Sequence, residues 1–274
     1  MTPVQLDAAA LPLGDQAVDL VFCSPPYESA RLYDELGFKL EGEAWVAWAL
    51  PRFLECLRVC RGLVAWVVEG RTRQFRWSAA PVLLAADLHR RGVHLRKPPA
   101  FCRVGIPGSG GPDWWRNDYE LVICATNGGK LRWSDNTATG HPPKWAPGGE
   151  MSHRLRNGDR RNRRGKAATC GVKHGDAATK RQYVPPKRAN PGNLVKCVVG
   201  GGRMGHPLAH ENEAPFPETL VEPFVKCFCP PGGLVLDPFG GSGTTAAVAE
   251  RLGRRWVMGD IRFSQCEMIR RRVA

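Results

Sequence analysis

The 274-residue chain has no run of the roughly 18 consecutive apolar residues that a membrane-spanning helix needs, which excludes an integral membrane protein of helical type. Its first residues, Met1-Thr2-Pro3-Val4-Gln5, lack a basic segment followed by an apolar one, so no leader peptide is expected. Ten cysteines occur without a single Cys-x-x-Cys pair. Cys56 and Cys60 have the four-residue spacing of one helix face, and Cys227 and Cys229 merely flank a Phe. We read them as reduced, packed thiols in a cytoplasmic protein, with no metal site. Acid is also short: 26 Asp and Glu face 39 Lys and Arg, for a net charge of +13 and a pI of about 9.6. Such an excess favours phosphate binding and points to a polyanionic partner. A hydrophobic content of 43% with nine Trp excludes wholesale disorder and allows one substantial α/β domain carrying an insertion.

The shortage of acid is concentrated. Between Met151 and Asn190 twelve Lys and Arg, among them Arg154, Arg156, Arg160, Arg161, Arg163, Arg164 and Lys166, are opposed only by Asp159 and Asp176, a net +10 of the total. Apolar periodicity is lost from Asn127 to about Gly205, where Gly, Pro, Asn, Arg and Lys dominate. We read residues 127–205 as an inserted basic region that contacts nucleic acid, flanked by ordered parts at 1–126 and 206–274.

What those parts contain is a strand-helix alternation. Val18-Asp19-Leu20-Val21-Phe22-Cys23 reads as a buried strand, ended by Ser24-Pro25-Pro26-Tyr27 because proline donates no ladder hydrogen bond. A short strand ending near Asp7 precedes it. A helix is expected over 44–59, closed by Arg61-Gly62, then a strand over 63–68, a helix over 80–91 and a strand over 119–124. Towards the end come a helix from Ala214 to about Cys229, strands over 234–237 and 256–260, and helices over 244–252 and 264–273. This spacing predicts a parallel sheet. In such sheets ligands sit beyond the carboxyl ends of the strands. There Ser24 offers a hydroxyl, Pro25 a carbonyl and Tyr27 a flat ring, a set suited to a planar ring with an exocyclic amino group.

A second strand, Leu234-Val235-Leu236-Asp237, runs into Pro238-Phe239-Gly240-Gly241-Ser242-Gly243 and a helix from Thr244-Thr245. Glycines let backbone approach a ligand closely, and the helix start presents free N–H groups. A phosphate-binding P-loop would place Lys after the last glycine, where Thr244 stands, and the Gly-x-Gly-x-x-Gly dinucleotide spacing is missing. Asp260 ends the next strand, 23 residues after Asp237, where a carboxylate accepts the two hydroxyls of a ribose.

The Ser-Pro-Pro-Tyr tetrapeptide after a hydrophobic strand, together with Asp-Pro-Phe-Gly-Gly-Ser-Gly-Thr-Thr, resembles the amino-group DNA methyltransferases, which methylate cytosine N4 or adenine N6. The order here, catalytic motif first, target recognition in the middle and cofactor loop last, is similar to their beta group. The resemblance implies a circularly permuted class I S-adenosylmethionine-dependent fold, Rossmann-like, with helices on both faces. It implies Ser24, Pro25, Pro26 and Tyr27 as the catalytic residues. For the cofactor it implies Asp7 and Ala8 at the adenine, Phe216 and Pro217, the loop Asp237 to Thr245, and Asp260 with Ile261. The partner implied is double-stranded DNA with the target base flipped out, in a prokaryotic or phage-encoded protein of the host cytoplasm. A cognate restriction endonuclease and either a monomer or a homodimer are compatible with it. Ser at the first motif position and Phe216-Pro217-x-x-Leu220 resemble the cytosine-N4 type. Adenine-N6 methylation, an inactive DNA-binding relative and an RNA-modifying relative stay open as alternatives. Cytosine C5 chemistry is set aside, since no Pro-Cys-Gln nucleophile is present.

Overall fold

A computed structural model describes residues 2–28, 39–105, 110–143, 150–164, 187–200, 202–212 and 215–274, with backbone alone for 150–154 and 161–164. In chain order the elements are β1 (Val4–Gln5), β2 (Val18–Cys23), α1 (Gly42–Val59), β3 (Cys60–Val68), β4 (Thr72–Arg73), β5 (Arg76–Trp77) and α2 (Ala80–Arg90). Next come β6 (His94–Arg96), β7 (Ala100–Val104), β8 (Tyr119–Thr126), β9 (Glu150–Arg154), β10 (Arg160–Arg164) and β11 (Leu194–Val198). A 3-10 turn at Pro207–Glu211 leads to α3 (Glu218–Phe228), β12 (Leu234–Asp237), α4 (Thr244–Arg251), β13 (Arg255–Asp260) and α5 (Phe263–Val273).

Nine strands form one sheet in the order β1-β13-β12-β2-β3-β8-β7-β11, with β6 also on β8. The strands from β1 to β3 are mutually parallel, but β8 runs antiparallel to β3, β6 and β7. The sheet is therefore mixed, not parallel throughout as the alternation predicted. The reason is that β3 is linked to β8 through the β4–β5 hairpin, α2 and two short strands rather than through one crossover helix. All six residues of β2 are buried, as a strand covered on both faces requires. On one face Leu20 and Phe22 of β2 pack with Leu220, Val221 and Phe224 of α3, Ala246 of α4 and Ile269 of α5. On the other, Val21 and Cys23 pack with Trp45, Ala49 and Phe53 of α1 and Leu84 and Leu88 of α2. Helices thus cover both faces.

Other expectations are corrected by the fold. α1 passes into β3 without a break, so Arg61-Gly62 belongs to the strand. A Cβ at residue 62 would lie 1.9 Å from Asp19 O, so only glycine lets β3 sit this close to β2. Asp19, a carboxylate inside an otherwise apolar strand, is satisfied by both forks of Arg61 (2.7 and 2.9 Å) and by Leu234 N (2.9 Å). Burial pushes its pKa up, but the guanidinium and the N–H outweigh burial and hold it below the usual carboxylate range. α3 starts at Glu218, with Pro217 in the extended cap position, rather than at Ala214, which lies outside the described residues. β4, β5, β6, β7, β9, β10 and β11 have no counterpart in the sequence reading. Nine cysteines are described; all are free thiols, and eight of them are buried. No described helix is long and apolar enough to cross a membrane.

The chain divides into two compact units, residues 1–138 with 192–274, and residues 139–191. In the second, β9 and β10 form an antiparallel hairpin that sets Arg154 against Arg160 in register. Its turn is closed by Leu155 N to Asp159 O (2.8 Å) and Gly158 N to Leu155 O (3.0 Å).

Candidate active site

β2 and β12 are hydrogen-bonded neighbours, Leu20 facing Val235 and Val21 facing Leu236. The segments leaving their carboxyl ends therefore emerge together, although one opens the sequence and the other nearly closes it. Between them lies a cavity of about 260 Å3. From the first half it is lined by Asp7, Ala8, Ser24, Pro25, Pro26 and Tyr27, and from the second by Phe216, Pro238, Phe239, Gly240, Gly241, Ser242, Thr244, Asp260 and Ile261.

The glycine loop is shaped from beneath. Gly243 takes a left-handed φ of +79° as the cap of α4, and a Cβ on Gly240 would collide with Met258 at 2.6 Å. Gly243, Thr245, Pro217 and Asp237 do not line the cavity. Asp237 is instead fully buried below the loop, where its Oδ1 accepts Phe239 N at 3.0 Å. Burial pushes its carboxyl up to about 7, against the pull of the Thr245 hydroxyl and the Phe239 N–H. Phe239 packs edge-on against Trp66 of β3 at 5.4 Å and at a tilt against Trp48 of α1 at 6.1 Å, which pins the loop to the other half of the chain. Phe216 is set in the same way, edge-on to Phe22 of β2 at 5.6 Å.

Asp260 reaches the cavity with both oxygens oriented by backbone: Oδ2 accepts Gly241 N at 3.3 Å and Oδ1 accepts Arg262 N at 3.0 Å. Arg262 Nε also faces Oδ1 at 3.5 Å, which leaves Oδ2 with a lone pair for a sugar hydroxyl. Asp7 accepts Ala9 N at 2.9 Å and faces Arg52 at 3.4 Å, whose guanidinium lies 4.5 Å over the Trp48 ring. Apolar walls, glycine backbone and two oriented carboxylates fit a nucleoside-containing cofactor. Among the described residues no cluster of His, Cys, Asp or Glu is placed to hold a metal.

The Ser-Pro-Pro-Tyr segment is held by residues far away in sequence. Pro26 O accepts Trp45 Nε1 at 2.8 Å. The Tyr27 hydroxyl donates to Glu120 Oε2 of β8 at 2.6 Å, and Glu120 in turn pairs with Arg103 of β7 at 3.3 Å. Burial first, then the Glu120 charge, raises the Tyr27 phenol well above its usual range, so it stays a protonated donor and its ring is fixed at the hydroxyl end. Glu28 is fully buried and accepts Gly42 N at 2.5 Å, Ser78 Oγ at 2.7 Å and Arg71 N at 3.2 Å.

Sequence reasoning missed Leu6, Trp48, Arg52, Asn212, Pro215 and Arg262 on the cavity wall. It also missed Arg272. That side chain, 1% exposed, donates to Ser242 O at 3.2 Å, Thr244 Oγ1 at 3.0 Å and Glu218 Oε1 at 2.8 Å, bracing the glycine loop against α3. Of the expected DNA contacts, Arg156 and Arg160 are exposed; Arg154, Arg161, Arg163 and Arg164 are placed by backbone only, and Lys166 lies outside the described residues.

Comparison with known proteins bears on this cavity. A family described as DNA methylase matches residues 18–271. Orphan methyltransferase M.BamHII of Bacillus amyloliquefaciens is 25% identical over 272 residues, covering 95% of this chain and 90% of that protein. DNA adenine methyltransferase YhdJ of Escherichia coli is 23% identical over 264 residues, covering 94% and 76%. The solved PvuII DNA methyltransferase (cytosine-N4-specific) superimposes with a TM-score of 0.68 at 17% identity, covering 100% of this chain and 88% of that one.

Proposed function

The chain belongs to the N6/N4 DNA methylase family, and from that premise we propose that it transfers a methyl group from S-adenosyl-L-methionine to the exocyclic N4 of cytosine in DNA. The observation that carries the reading is the shared cavity, into which the Ser24-to-Tyr27 segment and the glycine loop with Asp260 open from opposite ends of the sequence. Asp260 holds the ribose, Asp7, Phe216 and Ile261 bound the adenine, and the loop backbone with Ser242 and Thr244 holds the amino-acid end. When bound, the cofactor supplies an electrophilic methyl on a sulfonium.

The chain's own residues then do the rest. The lone pair of an aromatic amino group is delocalised into its ring. Ser24 Oγ and the Pro25 carbonyl would accept the two N–H bonds and draw that nitrogen towards a tetrahedral shape; as its bond to the methyl carbon forms and the sulfonium S–C bond breaks to a neutral thioether, one amino proton would leave by way of the Ser24 hydroxyl to water. Tyr27, anchored by Glu120, stacks on the base and holds it at the angle the transfer needs. A stacked duplex does not expose this amino group to attack, so the base is extruded into the cavity. Ser24 in the first motif position and the Phe216-Pro217 pair, which resemble the cytosine type, favour N4. The likeness to an adenine methyltransferase keeps adenine N6 as the second reading.

The basic hairpin β9–β10 and its neighbourhood supply phosphate contacts, within a middle region (127–205) that reads the target between the catalytic (1–126) and cofactor (206–274) segments. Neutralising Arg160, Arg161, Arg163 and Arg164 to Gln will flatten the dependence of log DNA affinity on log salt by about 0.9 per lost contact and leave cofactor affinity unchanged. An unaltered slope would remove the hairpin from the DNA surface. The function itself is tested by incubating the protein with tritiated cofactor and duplex DNA, RNA or protein. Label in DNA alone supports it; label in RNA alone moves the chain to the RNA-modifying reading.

A further inference from the structure

Glu28, the residue after Tyr27, ties a second structure to the catalytic segment. Its carboxylate accepts Arg71 N (3.2 Å) and Ser78 Oγ (2.7 Å), the two ends of the β4–β5 hairpin, which Ser78 N to Arg71 O (2.8 Å) closes at the base. The hairpin sits directly on Gly70: a Cβ there would lie 2.0 Å from Ser78 O. Trp77 Nε1 also reaches Glu69 Oε1 at 3.2 Å, at the carboxyl end of β3. The hairpin is thus a fixed projection on the same end of the sheet as Ser24 and Tyr27.

Its tip is costly in a way that folding does not explain. Thr72 pairs with Trp77 and Arg73 with Arg76, leaving a two-residue turn in which Gln74 and Phe75 have φ of +48° and +60°. Positive φ at both central residues is the preference of Asn and Gly, and an aromatic side chain there is strained. Phe75 is nevertheless displayed rather than packed away. It is 71% exposed, backed edge-on by Trp114 at 5.3 Å, with Trp115 on the same loop 95% exposed. Arg73 and Arg76 flank it, both exposed. Backbone strain concentrated on an exposed ring between guanidinium groups is what a nucleic-acid stacking element would show, since cations meet phosphates while the ring meets a base.

We propose that Phe75 is a wedge that enters the base stack of duplex DNA beside the target and occupies the space left when that base turns into the cavity, while Arg73 and Arg76 grip the adjoining phosphates. This rests on the proposed DNA methylation and adds to it an element that opens the duplex. Arg73 is shared with Glu41 at 3.7 Å in the free protein and would exchange that exposed carboxylate for phosphate.

Phe75→Gly separates this role from a structural one, because glycine accepts the positive φ and so relieves strain while removing the ring. The variant is expected to melt at or above the wild-type temperature, to bind S-adenosyl-L-methionine with unchanged affinity, and to methylate matched duplex DNA at least about tenfold more slowly, the loss of one base-aromatic stack. Duplexes in which the target base is mismatched should restore most of the rate, and Phe75→Trp should keep it. If the wild-type chain methylates matched duplex and Phe75→Gly does so equally fast, the wedge is wrong and the enzyme reading stands. An equal loss on matched and mismatched duplexes also overturns the wedge, since the hairpin would then serve only to shape the site. If the wild-type chain methylates no DNA, the proposed function fails and the wedge with it.

Discussion

The two segments that face each other across the cavity are supported in opposite ways. The glycine loop is built mostly from its own neighbourhood: Gly240 and Gly243 permit its path, Asp237 accepts Phe239 N, and Asp260 of the adjacent strand accepts Gly241 N. The Ser24-to-Glu28 segment carries two prolines and no glycine, and most of the groups that fix it come from elsewhere, from Gly42, Trp45, Arg71, Ser78 and Glu120. A cofactor that is the same in every turnover suits a locally encoded cradle. In the proposed reaction, a base received from DNA suits a segment wired to β8 and to the β4–β5 hairpin.

The contrast can be broken from either side, and the largest effect is expected at Arg272. It joins the Phe239 ring contacts as a long-range support of the glycine loop, and its side chain is nearly inaccessible. Arg272→Met removes the donor to Ser242, Thr244 and Glu218 Oε1, while Arg251 stays on Glu218 Oε2 at 3.4 Å, so the cost is about 3 kcal/mol, the low end for breaking a buried ion pair. Chemical denaturation should show that loss, and calorimetry should show weakened cofactor binding with DNA affinity unchanged. Glu28→Gln is the counterpart on the other segment. Replacing one acceptor oxygen by a donor opposes one of three N–H or O–H donors and costs about 1–3 kcal/mol. Methylation should slow while cofactor affinity holds; a loss of cofactor affinity equal to that of Arg272→Met would erase the distinction between the segments.

A third test concerns pH. The carboxyl of Asp237 is raised from 3.8 to about 7 by burial, so the folded state holds its proton more tightly than the unfolded chain. Its penalty is absent below pH 4, grows as pH rises through the window from about 4 to about 7, and is complete above it. Asp237→Asn removes that penalty, so the stability of the variant relative to wild type should increase across this window. A difference flat in pH would mean the carboxyl is not held protonated.

The same contrast explains what could be read from the sequence. β2, β12, β13 and α4 are legible because their signals are local: continuous apolar runs, two prolines, a glycine-rich turn. α5 reads as a basic, solvated helix, and nothing near Arg272 tells that its partners lie 28 to 54 residues away. β11 hides within the basic tract because it is an edge strand with only Cys197 buried. The β4–β5 hairpin hides because its turn residues, Gln74 and Phe75, carry no turn signal at all. The antiparallel entry of β8 is set by the connection through β6 and β7, each too short to register as apolar periodicity. On the cavity itself, the motif residues are found together, whereas Trp48, Arg52 and Asn212 are brought in by tertiary structure alone.

The central claim is that one cavity joins cofactor and an extruded cytosine, and the nucleosides of treated DNA test it most directly. Duplex DNA incubated with the wild-type chain and S-adenosyl-L-methionine, digested and analysed by mass spectrometry, should contain N4-methylcytosine, and DNA treated with Ser24→Ala should contain far less despite unchanged cofactor binding. N6-methyladenine in its place would contradict the choice of base while leaving the cavity its chemistry. No methylated nucleoside above the untreated control, with the cofactor bound, would contradict the account itself.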